Sequence, residues 1–80
     1  MNQTEIMEKI TTIFRNLFNN KNIILSYATT AKDIHGWDSF NHINLMMMVE
    51  EEFNIRMRNS EITHLKNVGE LVELIMAKKR

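Results

Sequence analysis

The stretch GWDSFNHINLMMMVEEEFNIRM, residues 36–57, decides how the chain is to be read. Gly36 permits a backbone turn that other residues resist, and Trp37 is expected to anchor that turn to a core. Asp38 then stands where a helix cap is wanted, with Ser39 in the first turn and a helix running to about Asn54. At about 100° per residue, His42, Leu45, Met46, Val49 and Phe53 gather on one arc, enough to pack against other helices. Phe40, Ile43 and Met47 fall on a second arc, which Ser39, Glu50 and Glu51 share. An apolar stripe between a serine and acids reads as a docking face. The alternative is that the long loop before it covers the stripe.

Working outward, Ile6, Met7, Ile10, Ile13, Phe14, Leu17 and Phe18 recur at gaps of three and four, which predicts an amphipathic helix over 6–18. Asn2 or Thr4 can cap it, Glu5 and Glu8 suit its first turn, and Asn19 and Asn20 can end it. Residues 20–37 hold no sustained period. Ile23, Ile24, Leu25 and Tyr27 resemble a strand, but no second strand exists to pair with them. A long loop is expected instead, its apolar residues tucked under the helices; such loops are often functional. Asn59, Ser60 and Glu61 begin a short helical turn through Leu65. Asn67 with Glu70 matches a capping box, and Val68, Leu71, Leu74 and Ile75 line one face of a last helix. The Lys78, Lys79 and Arg80 tail suits that helix's C-terminus.

Eighty residues make one domain, with room for a modest core but not for a deep catalytic cleft and its supports. The absence of proline and the presence of only two glycines point to an all-α class. With 44% hydrophobic and 25% charged residues, wholesale disorder is not expected. No cysteine is present, which excludes disulfides and thiolate metal sites. His35, His42 and His64 lack metal-ligand spacing. The first residues are polar and no apolar run could span a bilayer, so a monomer in the cytoplasm is expected. Net charge is zero, yet residues 32–53 carry −4 and residues 54–80 carry +3. That pattern is not a nucleic-acid footprint, and a helix-turn-helix reading fails on the acids in the best exposed helix. Three glutamates, Glu50 to Glu52, also sit at the negative end of their helix dipole and repel one another. A surface that meets basic partners accounts for them.

Residues 36–57 resemble the acyl carrier protein signature, in which Asp-Ser-Leu opens the second helix and a glutamate-rich turn followed by phenylalanine closes it. The resemblance covers the helix layout and loop length of the whole chain. It implies a four-helix bundle of acyl-carrier type, with three longer helices, one short helix and a long first loop, as a single carrier domain over 1–80. It also implies 4'-phosphopantetheine on Ser39, added from coenzyme A by a phosphopantetheinyl transferase that recognises Asp38. The arm's thiol would hold an acyl or aminoacyl group as a thioester. The chain is then a carrier rather than an enzyme, and Phe40, Ile43, Met47, Glu50 and Glu51 dock the loading, acyltransferase and synthase enzymes.

The chain departs from the family pattern in three places. Phe40 replaces leucine, Asn41 and Asn44 stand where many fatty-acid carriers have acids, and the net charge is zero rather than strongly negative. The last two favour a specialised pathway, polyketide or related, over housekeeping fatty-acid synthesis. A peptidyl or aminoacyl carrier of a nonribosomal peptide-type pathway is the alternative, and so is a helical interaction module with no prosthetic group. His42 is expected to hydrogen-bond within the domain rather than to activate Ser39, because no orienting group or oxyanion site accompanies it.

Overall fold

The computed structural model describes residues 1–79, so Arg80 of the basic tail lies outside the described residues. Among these residues the regular elements are four α-helices and one 3-10 turn, and there is no strand. Helix α1 spans Gln3–Leu17, the 3-10 turn Ala31–Asp33, α2 Ser39–Phe53, α3 Asn59–Thr63 and α4 Val68–Lys78. The all-α expectation holds, and each boundary falls within a few residues of where the caps and periodicity place it.

The caps explain the boundaries. Asn2 Oδ1 accepts the Glu5 N–H at 2.9 Å while Glu5 Oε1 accepts the Asn2 N–H at 3.2 Å, a reciprocal box that starts α1. Asn19, at φ 51°, takes the left-handed conformation that ends α1, and Asn54, at φ 54°, does the same for α2. The predicted box at α4 forms differently. Asn67 Oδ1 accepts the Glu70 N–H at 2.8 Å, but the Glu70 carboxylate reaches past Asn67 to the Lys66 N–H, also at 2.8 Å. Two free donors are satisfied all the same, one residue further upstream.

Helix α1 packs against both α2 and α4, and its Ile6, Ile10 and Phe14 are wholly buried between them. Leu45, Met46, Val49 and Phe53 of α2 meet Val68, Leu71, Val72 and Ile75 of α4 in the same core. Leu74, expected on the core face of α4, is only half-buried, and Val72 takes the deeper place.

The first loop differs from its expectation in two ways. It contains the turn Ala31–Asp33, closed by the Asp33 carboxylate accepting the Thr30 N–H at 2.8 Å. Its apolar residues are also not uniformly tucked in: Ile23 is buried and Leu25 half-buried, but Ile24 is 84% exposed. The loop instead holds its place through polar ties. Arg15 Nε donates to the Ile23 carbonyl at 2.9 Å, and the Thr29 and Tyr27 carbonyls accept the Val68 and Gly69 N–H groups at 2.9 Å. Those ties run the loop along α1 and the start of α4, away from the second arc of α2.

Candidate functional site

Gly36, with φ 93°, lets the chain reverse into α2. Immediately after it, Asp38 has an extended backbone, and its Oδ1 accepts the Asn41 N–H at 2.8 Å. Its carbonyl accepts the His42 N–H at 2.8 Å, the first bond of the helix. Asn41 then turns its side chain back, donating from Nδ2 to the Gly36 carbonyl at 2.9 Å. A carboxylate cannot donate that bond, which gives a local reason for asparagine at this position.

These bonds leave Ser39 as the first residue of α2, exposed, with no hydrogen bond to its hydroxyl among the described residues. The backbone N–H groups of Ser39 and Phe40 precede the first helical bond and have no partner within α2. An oxygen nucleophile therefore stands at the positive end of a helix, where a negative group would be favoured.

Beside it runs a groove of about 490 Å³ between the loop, α2 and α3, with Trp37, His42, Ile43, Leu65 and Lys66 among its walls. The Trp37 ring packs edge-on against Phe14 at 5.1 Å and 82°, which anchors the turn to α1 as expected. Its Nε1 donates to His42 Nδ1 at 3.0 Å, with the two ring planes within 17° of each other, as an in-plane bond requires. His42 Nε2 lies 2.9 Å from the Ile62 carbonyl. Both ring nitrogens are thus engaged elsewhere, and His42 is not placed to take a proton from Ser39. The bonds inside the domain expected of His42 are present, to partners the sequence does not name.

The second arc of α2 is open. Phe40 is 74%, Ile43 51% and Met47 60% exposed, side by side beyond Ser39. Glu51 is exposed alongside them, whereas Glu50 is half-buried and its Oε2 accepts the Met57 N–H at 2.8 Å. Glu52 pairs with Lys9 of α1 at 3.2 Å. The acidic cluster is therefore less frustrated than its spacing suggests. One carboxylate caps a backbone donor of the following loop and another pairs with a lysine, so only Glu51 is left without such a role. The relieving groups are Lys9 and the Met57 backbone.

The sequence and the fold are similar to those of known proteins. The chain is 34% identical over 79 residues to an acyl carrier protein of Guillardia theta, covering 98% of this chain and 96% of the relative. The acyl carrier protein of Thermosynechococcus vestitus is 32% identical over 76 residues, 94% and 93% of the two chains. The chain belongs to the acyl carrier protein family. The solution structure of the holo acyl carrier protein from Geobacter metallireducens matches the carrier with a TM-score of 0.84 and 38% identity, over 91% of this chain and 84% of that one. No family model matches. The relatives are named as carriers, and this chain is a carrier protein rather than an enzyme. No helix among the described residues is long and apolar enough to cross a membrane.

Proposed function

We propose that the carrier holds an acyl or aminoacyl group as a thioester on 4'-phosphopantetheine attached at Ser39, in a specialised biosynthetic pathway of polyketide or related type. The observation that carries this reading is the exposed, unpartnered Ser39 hydroxyl at the N-terminus of α2, beside three exposed apolar side chains. The residues present fit the group. The free N–H groups of Ser39 and Phe40 favour the phosphodiester's charge, and no neighbouring side chain blocks the hydroxyl. When attached, the group supplies a thiol that the chain, having no cysteine, does not.

The chain's own residues do the rest. Asp38 holds the first turn and is the recognition point for the transferase. Phe40, Ile43 and Met47 offer apolar surface to successive enzymes, methionine adapting to each. Glu51, with the free edge of Glu50, offers charge to basic surfaces. The neutral chain and the asparagines at 41 and 44 support a specialised pathway over housekeeping fatty-acid synthesis. A single carrier domain acting as a cytoplasmic monomer completes the reading.

Coexpression with a broad-specificity phosphopantetheinyl transferase tests it. The intact mass rises by that of the arm, tandem fragmentation places the gain on Ser39, and Ser39→Ala abolishes it. An unchanged mass with several such transferases overturns the reading and favours an interaction module without a prosthetic group.

A further inference from the structure

His42 lies three residues beyond Ser39 and joins two walls of the groove. On one side Trp37 Nε1 donates to its Nδ1 at 3.0 Å, and on the other its Nε2 is 2.9 Å from the Ile62 carbonyl. An indole nitrogen only donates and a carbonyl only accepts. Nδ1 is therefore the bare acceptor, and the proton of the neutral ring sits on Nε2. No other tautomer serves both partners.

The geometry points to His42 as a proton-operated latch that holds the Trp37 wall against α2 beside Ser39. A second proton can enter the ring only at Nδ1, where it turns the acceptor into a donor facing the indole N–H. The Trp37 bond is then lost. The bond from Nε2 to the Ile62 carbonyl survives, strengthened by the ring's charge. Protonation thus unties the Trp37 wall from α2, leaving it held by Phe14, and keeps the bond to the other wall. The wall released is the residue two before Ser39, in the turn that sets where the serine stands.

The remaining charges around the ring are few. Asp38, at the loop's end, and Lys66, in the connection to α4, line the same groove, one of each sign. Asp38 already accepts the Asn41 N–H. From α3 the Glu61 carboxylate is taken by the Arg58 N–H and by Lys78. From α1 the neighbour is Phe14, through Trp37. Among the described residues, His42 Nδ1 is the acceptor to which the indole N–H donates.

Imidazoles ordinarily change charge between about pH 5 and 8, which sets the range the test covers. The latch belongs to the unmodified chain and is independent of what is attached at Ser39. The test is an NMR titration of the full 15N-labelled chain from about pH 8 to 5, following the His42 imidazole and the indole N–H of Trp37, the only tryptophan. The indole resonance moves with the imidazole's midpoint, and the indole's protection from exchange falls about tenfold, the factor expected for one lost hydrogen bond. The amides of Ile62 and Thr63 keep their protection. In His42→Gln, whose amide stays neutral, the indole resonance no longer responds to pH. An indole signal that stays still while His42 titrates, a His42 that does not titrate in this range, or a response that persists in His42→Gln overturns the latch. The wild-type titration alone decides the matter if the variant does not fold.

Discussion

The Asp38 carboxylate accepts the Asn41 backbone N–H at 2.8 Å across the one turn that contains Ser39. Cap and serine therefore share a single structural event: the bond that starts α2 also leaves the hydroxyl outside it. Removing the cap in Asp38→Ala should cost about 1 kcal/mol of stability. It should also slow modification of Ser39 more than that loss explains, because the first turn frays. Urea denaturation alongside the rate of mass gain with transferase separates the two effects, and equal rates for both proteins would contradict the shared role.

The two arcs of α2 should respond in opposite ways. Met47→Glu adds a charge at a position 60% exposed, so the unfolding midpoint should stay within about 0.5 kcal/mol of the parent. Its KM as a transferase substrate should rise about tenfold, the scale of a contact at an interface centre. Leu45→Ala, at a wholly buried site, should instead cost about 2–5 kcal/mol. Thermal unfolding of both variants, with transferase kinetics on Met47→Glu, checks the contrast.

Acid should loosen the hold on α3. The Arg58 N–H first, and then Lys78, hold the Glu61 carboxyl below the ordinary glutamate range. A carboxyl lowered in the folded state binds its proton more weakly there than in the unfolded chain. Its contribution is therefore complete above the ordinary glutamate value and fades as pH falls through the lowered one. Glu61→Gln should show a smaller loss of stability than the parent between about pH 6 and 3. Denaturant midpoints across that range decide it, and parallel curves would rule the linkage out.

Gly69 should resist even alanine. A Cβ there would meet the Tyr27 carbonyl oxygen at 2.9 Å and Tyr27 Cβ at 3.2 Å, and the Gly69 N–H already donates to that carbonyl. Gly69→Ala must push the loop off α4, for about 1–3 kcal/mol by analogy with overpacked cores. Calorimetry measures the cost. An alanine variant as stable as the parent would mean that the loop is not held there.

Much of the site could be read from local signals. Asp38 as cap, Ser39 in the first turn and the two arcs of α2 follow from helix periodicity and cap chemistry, which act over a few residues. The partners of Glu50, Glu52 and His42 do not. Glu52 finds Lys9, 43 residues away, and His42 finds the Ile62 carbonyl, 20 residues away. No spacing rule reaches that far. Gly69 gave no sign either, since a glycine inside a helical pattern does not disclose which backbone approaches it.

By itself the sequence determined four helices, the Asp38 cap and the serine at the head of α2, because periodicity and capping are local and each is written in adjacent residues. Whether Phe40, Ile43 and Met47 face the long loop or solvent was decided only in three dimensions. The loop's hydrogen bonds to Arg15 and to the N–H groups of Val68 and Gly69 draw it along α1 and α4. A chain held there leaves Phe40, Ile43 and Met47 exposed, and the apolar arc beside Ser39 stays open.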